Sequence, residues 1–311
     1  MVIDLRTGKE TGQAPRLVLG LGNFDGVHVA HAEILRCVKK MCSKLQDSDE
    51  EIRSAAWCFR NPSSDYLSRA PIGHITTFEE RVELFAQAGM DYVIVEDFES
   101  LRDMPYPAFI SEKLVREYRT AGVVCGYNFR FGQKGEGQPR DLQARFDSVI
   151  VLPRRSVLGS TISSSRIRWL VRAGDMETAT TVLGRPFSVT SEVVSGKHVG
   201  KALSYPTVNQ VFGENMLVPR RGVYVTTTRI DGQTYPSVTN VGFRPTLETS
   251  AHVNCETHIL DFEEDLYGKI IKVSFLKRIR DEYKLADAAA LSDAIREDVN
   301  NAKAYFSEHH M

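Results

Sequence analysis

The sequence predicts an α/β domain on a parallel sheet, then a small antiparallel β domain, then a closing helix. Three observations carry this. Short apolar runs alternate with helical periods through the first half, the pattern of parallel strands covered by helices. From Phe187 onward apolar and polar residues alternate singly, the period of half-buried strands. A charged stretch with helical spacing then fills residues 287–306. At 311 residues the chain has the length of two ordinary domains, and the joint is placed at Gly184-Arg185-Pro186, giving domains 1–184 and 185–311.

In the first domain the expected strands are residues 17–22, 54–59, 91–95, 122–126 and 148–152. Between the second and third, Phe78, Val82 and Phe85 fall on one helical face. Thr77 and Glu80 have the spacing of a capping box, and Gly89 stands where that helix must stop. Two further helices are expected over residues 164–172 and 176–183. In the second domain FSVTSEVV, GVYVTTTRI, PSVTNVG, ETHIL and KIIKVSFL read as strands. Asp231-Gly232 between two of them is a hairpin signal. A small barrel or a sandwich fits this spacing.

Charge and composition exclude several classes of function. Lys and Arg number 39 against 40 Asp and Glu, so nothing draws the chain to nucleic acid or an anionic membrane. No apolar run reaches the ~18 residues of a membrane span. The opening MVIDLRTGKETG has no apolar segment, so no secretory leader is expected. The cysteines number five and form no CxxC pair, which points to free thiols and the cytoplasm. No repeat or charge pattern sets an oligomeric state, so a monomer or a weak homo-oligomer is expected.

The chemistry gathers in two places. GLGNFDGVHVAH, residues 20–31, joins a strand to a helix. Asn23, Asp25 and Gly26 make its tight turn and are expected as phosphate-binding residues, and the helix begins near His28. Free N–H groups there favour a phosphate. His28 and His31 share the first helical turn and can donate hydrogen bonds to phosphate oxygens. A later helix opens with Ile162-Ser163-Ser164-Ser165-Arg166-Ile167-Arg168; its serines and the Arg168 fork are a second phosphate grip. In the other half, GKHVGKALSYPTVN spans residues 196–209. Its glycines let backbone approach phosphate oxygens, while Thr207 and Asn209 offer the oxygen ligands that Mg²⁺ prefers.

These stretches together resemble the bacterial bifunctional riboflavin kinase/FMN adenylyltransferases, also called FAD synthetases. GNFDGVHVAH resembles the family's GxFDGxHxGH, with Ala30 in place of a glycine. SSSRIR resembles SSTxxR, with Ser165 in place of a threonine. GYNFRFG, residues 126–132, resembles the flavin-side GxDFRFG, with Asn128 for the aspartate. The TFxPHP segment is altered to Cys58-Phe59-Arg60-Asn61-Pro62. GKALSYPTVN resembles GRxLGxPTxN, followed by GVY, NVGFRPT, CETHIL and LYG. The resemblance covers nearly the whole chain. It implies a Rossmann-like nucleotidyltransferase domain, then a riboflavin kinase barrel of six antiparallel strands.

The resemblance also implies roles. His28, His31, Ser163, Ser164 and Arg168 would contact ATP phosphates, and Asn128, Phe129 and Arg130 would face the flavin. Gly196, Gly200 and Lys201 would hold the kinase's ATP, Thr207 and Asn209 its Mg²⁺, and Glu256 would be the general base. Riboflavin, FMN and ATP become the expected small-molecule partners, and FMN and FAD the products. Two other readings compete. One is a kinase whose first domain is a non-catalytic flavin or nucleotide binder. The other is an NADP-binding oxidoreductase domain built on Gly20, Gly22 and Gly26.

Overall fold

A computed structural model describes residues 1–11, 15–46, 51–68, 71–195, 205–213, 215–244, 252–282 and 287–309. By its internal contacts the chain divides into two compact units, Met1–Ser164 and Ser165–Met311.

The first unit is a seven-stranded sheet. In chain order its strands are β1 (Val2–Asp4), β2 (Lys9–Thr11), β3 (Arg16–Leu21), β4 (Ile52–Phe59), β5 (Tyr92–Glu96), β6 (Thr120–Gly126) and β7 (Val149–Leu152). They lie in the order β2-β1-β5-β4-β3-β6-β7. The last five run parallel, while β1 and β2 form an antiparallel edge. All five expected strands are present within two residues of their predicted bounds. The short edge pair was not predicted, because three-residue strands carry too few positions to show a period.

Helix α1 (Val29–Leu45) covers one face of this sheet and buries Ile34, Leu35 and Val38. It packs against Gly20 of β3, where a Cβ would lie 3.1 Å from Val38 Cγ2. This glycine serves close helix–strand packing, since a Cβ there would require Val38 and Ile34 of α1 to give way by a few tenths of an ångström. Helix α2 (Phe78–Gln87) has the predicted capping box, with Thr77 and Glu80 each accepting from the other's backbone N–H. Strand order reverses at β3, whose neighbours are β4 and β6. In parallel sheets that switch point, at the carboxyl ends, is where ligands bind.

The second unit opens with α3 (Ser164–Ala173, beginning one residue before the division) and α4 (Met176–Leu183). A short hairpin, β8 (Ser156–Val157) with β9 (Ser160–Thr161), precedes them in the first unit. Six antiparallel strands follow: β10 (Phe187–Glu192), β11 (Val208–Val211), β12 (Gly222–Ile230), β13 (Gln233–Arg244), β14 (His252–Ile259) and β15 (Ile270–Arg280). Their order is β10-β15-β12-β13-β14-β11, and a Val194–Asn209 bridge nearly closes the sheet into a barrel. Asp231 and Gly232 take φ of 47° and 88°, the double left-handed turn that a two-residue hairpin requires. Helix α5 (Ala288–Glu308) is capped by Asp287 and buries Ala302 and Phe306 against Val223, Val225 and Val238.

The barrel interior is partly polar. Thr228, Ser237, Thr226, Thr239 and Thr257 are fully buried. Their hydroxyls link in that order at 2.9, 2.9, 2.8 and 2.9 Å. Strand β11 was not predicted. Its residues Asn209 and Gln210 are both buried, so the strand shows no polar/apolar alternation. Gln210 Nε2 instead donates to the carbonyls of Ser191 and Ile271, at 2.9 and 3.0 Å.

The unit division falls twenty residues before the predicted joint because α4 packs on the barrel. Met176, Ala179, Val182 and Leu183 are buried, and α4 lies against β10 and β15. Arg220 N–H also donates to the Val171 carbonyl at 3.1 Å. Fully buried Met, Val and Leu side chains contribute ~1.5–3 kcal/mol each, so Met176, Val182 and Leu183 alone are worth a large part of a domain's ~5–15 kcal/mol. A fragment of residues 165–311 is therefore expected to unfold cooperatively on heating. A fragment of residues 185–311 is expected to melt at least ~10 °C lower, by calorimetry or circular dichroism, since ~1 kcal/mol moves a domain this size by several degrees. Equal melting temperatures would show that α4 adds nothing to the barrel.

Candidate active sites

Strand β3 ends in a turn held by unusual backbone. Phe24, Gly26 and Val27 take φ of 53°, 82° and 37°. Gly26 permits this without strain, and a Cβ there would also lie 3.0 Å from Ile75 Cγ2. Asp25 is only 2% exposed. Its Oδ1 accepts from the N–H groups of Ile75 and Thr76 at 3.0 and 3.4 Å, and Gly26 N–H donates to Thr76 Oγ1 at 3.0 Å. Asp25 and Gly26, expected as phosphate-binding residues, fasten the turn to residues 75–76 through these bonds. A short buried carboxylate is drawn to unpaired backbone N–H groups before it is free for a ligand.

The histidines stand at the mouth of α1 as predicted. His28 is its N-cap, and His28 Nδ1 accepts from the His31 backbone N–H at 3.3 Å. That acceptor role leaves the ring proton of neutral His28 on Nε2. The two imidazoles stack with centroids 3.6 Å apart and planes 12° off parallel. His31 also packs on the Phe24 ring at 5.0 Å. Its Nδ1 is buried without a hydrogen-bond partner. Burial, with the neighbouring His28 adding to it, pushes the His31 pKa well below the usual imidazole value of 6.5. Ala30 lies in the first helical turn, between them.

Both histidines and Ala30 line a cavity of about 850 Å³. Asn23 lines it too, its amide donating to Ser63 Oγ at 2.9 Å. So do the expected Ser163 and Ser164, and Asn128, Phe129 and Arg130 after β6. Ser164 Oγ donates to the Asp25 carbonyl at 2.9 Å, tying the start of α3 to the glycine turn. Arg168, expected as a phosphate grip, is buried at 7% exposure and falls beyond the unit division.

Sequence reasoning missed most of the cavity wall. Trp57, Phe59, Phe98, Phe109 and Phe131 line it. Trp57 meets Phe59 and Phe109 edge-on at 4.9 and 5.6 Å, and Phe98 meets Phe59 at 5.3 Å. Gly132 takes φ of 72°, and a Cβ there would lie 2.6 Å from Tyr106 Cα; the flavin-side loop closes on the chain at that point. Glu33 and Arg155 also line the cavity. Arg155 Nε reaches Glu33 Oε2 at 2.9 Å, and this pairing lowers the Glu33 pKa.

The second cluster lies on the barrel. Asn209 on β11 and Asn240 on β13 both stand directly across from Glu256 on β14. Cross-strand neighbours of this kind have Cβ atoms ~4.5–5.5 Å apart. A side chain at Gly242 would run into the Glu282 carboxylate, which lies against the backbone there. Thr207 precedes β11, beside Pro206, whose carbonyl contacts His258 Nδ1 at 2.8 Å. A carbonyl only accepts, so His258 Nδ1 carries the hydrogen. Gly196, Gly200 and Lys201 lie outside the described residues. Thr207 and Asn209 supply hard oxygens, and among the described residues no cluster of three His, Cys, Asp or Glu could hold a metal. Such a sparse set suits a cation that keeps its waters and arrives on phosphates, as Mg²⁺ does.

Comparison with known proteins follows the same division. The family described as FAD synthetase matches residues 11–166, and that described as riboflavin kinase matches residues 183–306. The bifunctional riboflavin kinase/FMN adenylyltransferase of Haemophilus influenzae is 30% identical over 297 residues, 93% of this chain and 94% of that protein. The protein of that name in Escherichia coli K12 is 30% identical over 304 residues, 94% and 95% of the two chains. A solved structure, described as a macrolide-efflux protein from Streptococcus pneumoniae, superposes with TM-score 0.85. It is 27% identical and covers 96% of this chain and 97% of its own. With both halves matched in order and relatives running along nearly all of its length, this chain belongs to the bacterial bifunctional riboflavin kinase/FMN adenylyltransferase family.

Proposed function

We propose that the two activities of this enzyme sit in separate halves: FMN adenylylation in the 850 Å³ cavity of the first unit, riboflavin phosphorylation at the Glu256 face of the barrel. The enzyme converts riboflavin and ATP to FMN, and FMN and a second ATP to FAD and pyrophosphate. Membership of this family displaces the oxidoreductase reading. The observation that carries the assignment is the stacked His28–His31 pair at a helix N-terminus, opening on an aromatic-lined cavity. Phosphate and flavin find their chemistry there side by side.

In the first site an FMN phosphate oxygen attacks the α-phosphorus of ATP, and pyrophosphate leaves. His28 and His31 with the α1 amides stabilise charge on the phosphate oxygens. His31 enters neutral because burial disfavours its cation, and the incoming triphosphate reverses that bias. Asn128, Phe129 and Arg130 border the flavin. In the second site Glu256 takes the proton of riboflavin's primary ribityl hydroxyl as that oxygen attacks the γ-phosphorus and ADP leaves. Thr207 and Asn209 would hold Mg²⁺, which supplies charge neutralisation to the triphosphate. Arg168, Gly196, Gly200 and Lys201 are assigned to phosphates by their motifs. All five cysteines are free thiols, and no helix among the described residues is long and apolar enough to cross a membrane. A reducing, cytoplasmic setting suits both facts.

Glu256→Gln is expected to lower FMN formation by ~10²–10⁴, the usual worth of a general base. FAD formation from supplied FMN should continue, and chromatography of both flavins over time checks it. FMN made at the wild-type rate would remove Glu256 from the chemistry.

His31→Gln is expected to lower FAD formation by ~10²–10³ and spare FMN formation. It should also flatten the acid side of the stability profile. Above about pH 7 His31 is neutral folded and unfolded; below its usual pKa of 6.5 only the unfolded chain gains the proton, so folding weakens. The drop in Tm between about pH 7 and pH 5.5 should therefore shrink in the variant. An unchanged drop would show that His31 titrates normally.

Ala30→Gly removes a methyl group from the cavity wall and a good helix former from α1. The expected result is a lower KM for ATP in FAD formation, with Tm the same or slightly reduced, glycine costing ~0.5–1 kcal/mol in a helix. A clearly higher Tm would contradict the helical placement, and an unchanged KM would show that the methyl is accommodated.

A further inference from the structure

Three alternate residues of β14, Asn254, Glu256 and His258, point from the same face of the barrel, as the two-residue period of a strand requires. His258 fixes the Pro206 carbonyl. Asn254 does more. Its Nδ2 donates to Asn209 Oδ1 at 2.8 Å and to Glu256 Oε1 at 3.1 Å. Asn254 and Asn209 are each only 5% exposed, and Asn254 Oδ1 is buried with no hydrogen-bond partner among the described residues. A carboxamide turned the other way would set its oxygen against two oxygens, so both amide hydrogens are committed to this bridge.

We propose that Asn254 is a positioning residue of the kinase site, a crossbar that holds the Glu256 carboxylate and the Asn209 oxygen in one fixed geometry. This rests on the reading of Glu256 as base. With Oε1 engaged by Asn254, Oε2 is the oxygen that takes the ribityl proton. With one lone pair of Asn209 Oδ1 engaged by Asn254, the other would be the one to hold the nucleotide's cation. Both contacts of its amide are to members of the site, Asn209 and Glu256.

Asn254→Leu fills the same volume without a donor. Asn254→Asp keeps the shape but replaces the donor by an acceptor facing two acceptors. In both, kcat for FMN formation should fall about ten- to a hundredfold, the usual cost of losing a group that orients a ligand or base. KM for riboflavin and adenylylation of supplied FMN should be unchanged, and the rise in Tm given by Mg·ADP should shrink. If Asn254→Leu does not fold, Asn254→Asp decides. Wild-type kcat in a folded variant overturns the proposal, as does a joint loss of kcat, riboflavin KM and unliganded Tm in both. Glu256→Gln, run alongside, separates the two readings. If it keeps wild-type kcat, the base assignment itself fails. If it is inactive while both Asn254 variants are wild type, only the crossbar fails.

Discussion

Much of the cavity proposed for adenylylation hangs on one buried cation. Arg81 on α2 is 1% exposed, and no carboxylate pairs with it among the described residues. Its guanidinium donates instead to the carbonyls of Asn23 and Phe59, at 3.2 and 3.0 Å, and to that of Arg60. These carbonyls lie at or just beyond the carboxyl ends of β3 and β4. A buried charge is tolerable only where dipoles replace its water, so the two strand ends cannot drift from α2 without stranding the cation. The circuit closes through Asp25, which fastens the glycine turn to residues 75–76, immediately before the Thr77 cap of α2. The placement of the histidine pair is a product of this circuit.

Much of the fold could be read from the sequence because most elements have local causes. Central parallel strands are buried on both faces and read as continuous apolar runs. The Thr77–Glu80 cap and the Asp231-Gly232 turn are chemistry between near neighbours. What escaped has causes far along the chain. Asn209 and Gln210 sit in a strand because Asn254 donates to Asn209 Oδ1 and the carbonyls of Ser191 and Ile271 accept from Gln210 Nε2. Helix α4 looks like the end of one domain until its apolar face is seen against β10 and β15.

The sites divide in the same way. The histidine pair was readable because both residues act from one helical turn. Asp25 and Gly26 belong to the same stretch, yet residue identity does not say which way a carboxylate turns, and theirs is a fastening role. The aromatic wall draws on residues from Trp57 to Phe131, and Glu33 meets Arg155 across 122 positions. No local pattern could gather them. Asn254 stands two residues from Glu256, but its importance is visible only once Asn209 arrives from another strand.

The hydroxyl chain inside the barrel has a polarity of its own. Five hydroxyls bring five hydrogens to four links, so one hydrogen is always surplus. When it falls on Thr257 it can turn to Cys255 Sγ, 3.9 Å away, a weak but usable acceptor. Burial already pushes the Cys255 pKa up to about 12, which keeps the sulfur a thiol. Cys255 lies between Asn254 and Glu256 in sequence but projects to the opposite side of the strand. The thiol next to Glu256 in sequence thereby stays protonated at neutral pH and ends the chain of buried hydroxyls.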